Sequence, residues 1–361
     1  MALSVSTCRL YFYPSTAYTN WMHELAISEW YRSKSFPGEV ILLDGISGTG
    51  KTMFMHIVDG IENVHPPRFN YQLEQLCIAI SMNQISRSAG VELLQLLLDQ
   101  NQYDASISRE LNFRPNDLSS IVKSTKKLKY LKRLLAKDGP DAEKRLIFEG
   151  EKLFIIVHHL FDSSMPLDLL PAKKISRILC VRHPFYLFDH WVSCVGTTGS
   201  TARDFSVTVG GPPELPWYID DRDDLFRGHS NEDKAAKTIW DLTSRQMKFI
   251  ANQPNLLVID FEKFVLEPKL YLLELESLIG SKIKRLDSLM RSENLPRKHI
   301  NASNQKPIYR RYGSHLLTTD LEHRNDYLTL KSRIAKSTSK EHFKLIENAA
   351  ELYESHFGSW F

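Results

Sequence analysis

The residues Gly45-Ile46-Ser47-Gly48-Thr49-Gly50-Lys51-Thr52 carry the strongest chemical signal in the chain. The glycines let the backbone curl without Cβ clashes and turn its N–H groups inward, making a concave nest for an anion. Lys51 adds a mobile cation, and Thr52 a hydroxyl suited to a phosphate oxygen or to Mg²⁺. The spacing GxxxxGK[ST] marks a P-loop when it lies between a strand and a helix. Residues 40–44, Val-Ile-Leu-Leu-Asp, are short, apolar and partly β-branched, so they read as a buried parallel strand. Residues 53–58 contain no breaker and continue as a helix, whose free N–H groups and positive dipole end favour an anion. The competing reading is an ordinary glycine-rich strand-to-helix turn.

Three further runs, 153–157, 177–181 and 256–260, look like buried strands, and apolar helical patterns follow at 185–195, 235–250 and 269–278. Such alternation predicts an α/β fold, a mostly parallel sheet covered by helices on both faces in three layers. Ligands of such sheets bind beyond the carboxyl ends of the strands. That places Gly45 to Thr52, His158-His159 and Arg182-His183-Pro184 on one rim.

The wider chain sets bounds. With 361 residues and 42% hydrophobic content it can bury a large core. Forty-six Lys+Arg against 43 Asp+Glu leave a net charge of +3, which argues against a general nucleic-acid binder. The four cysteines are scattered without a CxxC pair or zinc spacing, as expected of reduced thiols. No signal-peptide pattern opens the chain, and no apolar run approaches the ~20 residues of a membrane helix, so a cytoplasmic protein is expected. Residues 1–38 read as an N-terminal extension packed on the core, with a helix near 21–32. Residues 39–361 read as one domain with a helical insertion at about 91–145 and a loop insertion at about 196–232. The basic residues Lys123, Lys126, Lys127, Lys129, Lys132 and Arg133 suggest an amphipathic helix with a solvated charged face. The Gly/Pro-rich, acidic stretch 196–232 reads either as a lid or substrate loop or as disorder.

The segment Arg177-Ile178-Leu179-Cys180-Val181-Arg182-His183-Pro184, continuing through His190 to Ser193, narrows the choice. A strand, then Arg-x-Pro, then a helix bearing a hydroxyl resembles the 3′-phosphate-binding segment of sulfotransferases that use 3′-phosphoadenosine 5′-phosphosulfate (PAPS). More of the chain agrees in order: Ile155 to His159, then Leu169-Leu170-Pro171; Trp240; residues 256–262; Glu267-Pro268; Leu278-Ile279-Gly280; the basic stretch from Arg297 through Lys306, Arg310 and Arg311 to Gly313; and a final helix near 349–356. The family's turn usually reads Ser-Gly-Thr-Thr, whereas here Ser47-Gly48-Thr49 is followed by Gly50-Lys51. Eight residues after the Arg the family has a Ser; here that position is His190, with Ser193 a helical turn further on.

The resemblance implies sulfuryl transfer from PAPS to a hydroxyl or amine of a small-molecule or glycan acceptor, with no metal, no nucleic acid and no membrane. Residues Ser47, Gly48, Thr49, Gly50, Lys51 and Thr52 would hold the 5′-phosphosulfate. Arg182, with Ser193 or His190, would hold the 3′-phosphate, and Arg310 and Arg311, in the basic C-terminal stretch, would also bind the cofactor. His159 would act as base and Lys51 as the catalytic cation. Read from the residues alone, Arg182 clamps a phosphate or pairs with a carboxylate, and His159 is a base or a core histidine. Of His158 and His159, one should lie off the site because successive residues face opposite sides of a strand. Asp260 and Glu262 read as a structural acidic pair. The alternatives are an ATP-dependent kinase with Mg²⁺ on Thr52 and Asp260, and a non-catalytic nucleotide-binding module.

Overall fold

The computed structural model describes residues 30–286 and 320–359, apart from 116, 118, 198–200, 203, 206, 210–214, 221–223, 254 and 285. Five strands form one sheet in the order β2-β3-β1-β4-β7, with every neighbouring pair parallel. These are β1 (Gly38–Gly45), β2 (Arg68–Phe69), β3 (Leu153–Ile156), β4 (Lys173–Val181) and β7 (Leu256–Asp260). The register of β1 against β4 brings Gly45 opposite Cys180, so the glycine turn and Arg182 leave the sheet side by side.

Alternation along β1 explains why both faces are covered. Ile41 and Leu43 enter one cluster with α1 (Phe54–Asp59), α6 (Pro184–Val195), α7 (Asn231–Asn252), α8 (Phe261–Leu266) and α9 (Pro268–Ile279). The same cluster takes in α10 (Asp320–Ser337) and α11 (Lys340–Phe357). Val40 and Leu42 enter the other, with α2 (Tyr71–Ser81) and α3 (Arg87–Ser106). This is the expected three-layer α/β/α arrangement, and a strand buried on both faces needs the continuous apolar run seen at 40–43. Each fully buried aliphatic side chain contributes roughly 1.5–3 kcal/mol, so the central strand is a rigid base for the turn at its end.

Local structure departs from the sequence expectations in three places. After the turn the chain makes a 3₁₀ turn, Lys51–Met53, and only then the six-residue α1, closed by Gly60. The stretch 114–145 is not one amphipathic helix. A 3₁₀ turn at Ile121–Lys123 is followed by α4 (Lys127–Arg133) and α5 (Pro140–Glu149), because Gly139 takes a left-handed φ of 70° and Pro140 starts a new helix. Its charged face is solvated at Lys123, Lys127, Lys129 and Lys132, as expected, but not throughout. Arg133 is buried against Glu149 and Glu151, Lys129 Nζ lies 2.7 Å from Glu151, and Lys126 donates to the carbonyls of Ile61 and Val64. Residues 30–32 of the expected 21–32 helix are not helical, and the remainder of that helix lies outside the described residues.

Within the insertion after α6, the antiparallel pair β5 (Thr208–Val209) and β6 (Leu215–Pro216) is followed by Tyr218, Ile219 and Phe226, all buried against the core. Among the described residues, no helix is long and apolar enough to cross a membrane.

Candidate active site

The turn from Gly45 to Thr52 hangs on β1 and is closed by its own hydrogen bonds. Thr49 donates to the Ile46 carbonyl through both N (3.2 Å) and Oγ1 (2.8 Å), and Met53 N donates to Gly50 O at 3.0 Å. Gly50 has φ +90°, and a Cβ there would sit 2.7 Å from the Phe261 ring. Glycine is therefore required by both conformation and space. The Asp44 carboxylate anchors the base of the turn, accepting from the N–H groups of Gly45, Leu160 and Phe161 at 2.6, 3.1 and 2.6 Å. Burial raises the Asp44 carboxyl above its ordinary range, opposed by Lys51 and by those three N–H groups.

Lys51 curls into the turn. Its Nζ donates to Gly45 O at 2.5 Å and Ile46 O at 3.1 Å, and the residue is buried. Burial lowers its ammonium below the usual lysine value, against the pull of Asp44. Arg182 approaches from the adjacent strand end. Its Nη1 donates to Gly48 O at 2.9 Å, and its guanidinium lies 4.4 Å from the centre of the Phe261 ring. Two buried cations thus converge on one glycine turn.

Glu262 lies under Arg182, its Oε1 at 3.9 Å from Arg182 Nε. It is fully buried and accepts from His183 N at 3.1 Å and from Tyr353 Oη at 2.9 Å. Burial and the neighbouring Asp260 raise its pKa to about 8, although Arg182 opposes this. Burial thus pushes this carboxyl toward its neutral form beneath the Arg182 guanidinium. Asp260 caps α8, accepting from Lys263 N at 3.2 Å, with Lys263 Nζ 3.7 Å away. The acidic pair therefore has the structural placement read from the sequence.

The two histidines after β3 diverge. His158 Nδ1 is 2.9 Å from Glu74 Oε1 and its ring stacks on Phe69. His159 turns inward with φ +40°, an uncommon conformation for a non-glycine residue, and its N–H donates to Gly45 O at 3.1 Å. Its ring is buried against Trp191, Trp217 and Tyr218, with centroids 5.9, 6.2 and 4.6 Å away, and its Nδ1 has no hydrogen-bond partner among the described residues. Burial, then the nearby charges of His158 and Lys51, hold its pKa well below the ordinary histidine value, so the imidazole is neutral at pH 7.

His190 lies over the turn, with Nε2 2.9 Å from Ser47 Oγ and its ring packed on Gly48. Burial and the Lys51 charge lower its pKa to about 4. Ser193 does not follow it inward. It is exposed, and it is Cys194 whose Sγ sits 3.4 Å from His190 Nε2. On a helix the fourth residue on is rotated by about 40° to one side of its predecessor and the third by about 60° to the other, and here the former side faces inward. Arg310 and Arg311 lie outside the described residues. The residues missed in the sequence are the aromatic wall of Trp191, Trp217 and Tyr218, and Arg245, whose guanidinium lies 5.1 Å from the Trp217 ring centre. Their separation along the chain hides them, since β3, α6 and the insertion meet only in the fold.

No protein-family model matches the chain, and no curated protein matches it. Among solved structures, it is similar to the sulfotransferase domain of the olefin synthase of Synechococcus PCC 7002, with a TM-score of 0.36 and 12% identity over 86% of this chain and 98% of that one. It is also similar to the sulfotransferase domain from the curacin biosynthetic pathway, at 0.35 and 11% over 70% and 77%. Sulfotransferase STF9 from Mycobacterium avium follows at 0.33 and 13% over 76% and 70%. These likenesses are distant, and it is the site itself that supports a function.

Proposed function

We propose that the chain is a sulfotransferase that takes a sulfuryl group from PAPS and transfers it to a hydroxyl or amine. The observation that carries this reading is the pairing of two buried cations, Lys51 and Arg182, on a glycine turn beside a neutral, buried histidine whose Nδ1 has no partner among the described residues. Such a donor set suits a multiply anionic nucleotide. Two fixed cations in a low-dielectric site attract phosphate far more strongly than they would in water.

PAPS, when bound, supplies an activated sulfuryl group. Lys51 and the turn from Ser47 to Thr52 would hold its 5′ end, Lys51 leaving the Gly45 and Ile46 carbonyls to do so. Arg182 and His190 would hold the 3′-phosphate, Arg182 through a forked, charge-assisted contact. His159 Nδ1 would accept the proton from the acceptor hydroxyl, and an incoming anion would raise the basicity that burial has suppressed. Trp217 and Tyr218 would wall the acceptor. Catalysis would rest on positioning and electrostatics.

A transfer assay with radiolabelled PAPS and a panel of phenol, alcohol and amine acceptors tests the reading. Sulfated product should form with the intact chain and disappear in Lys51→Ala, while the fold, followed by circular dichroism, is retained. Full turnover in Lys51→Ala would refute the role of the lysine. Labelled phosphate transfer from ATP with Mg²⁺, in place of sulfate transfer, would move the chain to the kinases.

A further inference from the structure

Far along the chain from the glycine turn, three donors from three places converge. His229 closes the insertion, Asp233 stands in the first turn of α7, and His342 stands in the first turn of α11. One ligand atom from each lies within 4.8 Å of the others. His229 Nδ1 is 3.8 Å from Asp233 Oδ2, and His342 Nδ1 is 3.7 Å from Asp233 Oδ1. The two imidazole centroids are 4.6 Å apart. These distances exceed hydrogen-bond length, so the three groups cluster without being bonded to one another. Ligand atoms around a tetrahedral zinc, bound at about 2.0–2.1 Å, stand roughly 3.3 Å apart, so the cluster must contract around the ion through side-chain rotation.

The surroundings settle which nitrogen of His342 is available. Its Nε2 is 2.8 Å from the Leu225 carbonyl oxygen, which can only accept, so Nε2 carries the proton. In the neutral ring Nδ1 then carries the lone pair, which faces Asp233 and engages the Ser339 hydroxyl at 2.8 Å, so a metal ion would replace that hydrogen bond. A ring N–H fixed on a backbone carbonyl is the usual way a metal-binding histidine is oriented. Asp233 is fixed as well, since its Oδ1 accepts from Ser339 N at 2.8 Å. His342 is fully buried and Asp233 nearly so, whereas His229 is half-exposed and gives solvent access.

We propose that His229, Asp233 and His342 form a Zn²⁺ site, with water as the fourth ligand. Two imidazoles and one carboxylate suit a borderline ion such as Zn²⁺ and not the all-oxygen shells of Ca²⁺ or Mg²⁺. The ion would add a tie between the end of the insertion and the starts of α7 and α11, helices already packed in one core and linked here by the His342–Leu225 and Ser339–Asp233 contacts. This site is independent of the nucleotide reading.

The full-length chain, stripped with EDTA and dialysed, is titrated with CoCl₂ and followed by visible absorption. One equivalent should bind with the intense bands of a tetrahedral site, and ZnCl₂ should bleach them. His229→Gln changes a half-exposed residue and should bind at least about tenfold more weakly. Asp233→Asn should do the same, while His158→Gln, which alters a histidine elsewhere, should bind as the parent does. Zn²⁺ should raise the Tm of the parent and not that of His229→Gln. Absence of saturable Co²⁺ binding by the parent, or equal binding by His229→Gln, would overturn the site.

Discussion

Arg182, at the end of β4, holds the carbonyl of Gly48, in the turn at the end of β1, through a 2.9 Å hydrogen bond from Nη1. Two strands paired in the sheet are thereby joined again beyond it, and the cation and the nest form one unit. The aromatic face of Phe261 lies against the guanidinium and also fills the space beside Gly50, so three elements meet at this point. The predictions below follow from that unit and from the groups around it.

Glu262 should make stability fall as pH rises. Its folded-state pKa of about 8 lies above its ordinary 4.5, so between these values the folded chain keeps a proton that the unfolded chain has lost. Stability is then fully present below about pH 4.5 and lost as pH rises through about 8, at up to about 1.4 kcal/mol per pH unit. Glu262→Gln cannot ionise and should flatten this part of the profile. Urea denaturation of both proteins at several pH values checks this, and two parallel profiles would show that Glu262 ionises normally.

Gly50→Ala should disturb both stability and binding. The new Cβ meets the Phe261 ring at 2.7 Å in a left-handed backbone conformation. A cost of about 1–3 kcal/mol is expected from strain and overpacking. Displacement of Phe261 should also loosen Arg182 and weaken nucleotide binding. Chemical denaturation reads the first effect and calorimetry the second. A Gly50→Ala protein as stable as the parent would mean that the turn does not need the φ of +90° seen here.

His159→Gln should separate chemistry from binding. Removing a general base costs roughly two to four decades in turnover. Nucleotide affinity should stay close to that of the parent, because the residue faces the aromatic wall. A variant that turns over normally would return His159 to the core histidines.

Much of this arrangement was legible in the sequence, for identifiable reasons. The strands at 40–44, 153–157, 177–181 and 256–260 are continuous apolar runs, the pattern of strands buried on both faces. The placement of Lys51, Arg182 and His159 on one rim follows from the end of each run. At 114–145 the exposed lysines form the solvated face that the sequence suggests, but not on one helix. Gly139-Pro140 breaks the helix there, and Glu149 and Glu151, distant in sequence, draw Arg133 inside. Glu262 was recognised as structural, but its place beneath Arg182 depends on the pairing of β4 with β7, which no local pattern encodes. Helical geometry, not residue type, decides that Cys194 and not Ser193 stands beside His190.

The most direct test is isothermal calorimetry of 3′,5′-adenosine bisphosphate, 5′-AMP and ATP with Mg²⁺, on the parent chain and on Arg182→Ala. Losing a charge-assisted contact to the 3′-phosphate should cost about 1.5–3 kcal/mol, roughly one to two decades in affinity. The account predicts that the bisphosphate binds the parent more tightly than ATP with Mg²⁺, that a chelator leaves this binding unchanged, and that Arg182→Ala, which also frees the Gly48 carbonyl, weakens the bisphosphate by that factor more than it weakens 5′-AMP. Equal weakening of the bisphosphate and 5′-AMP, or tight binding only in the presence of Mg²⁺, would contradict it.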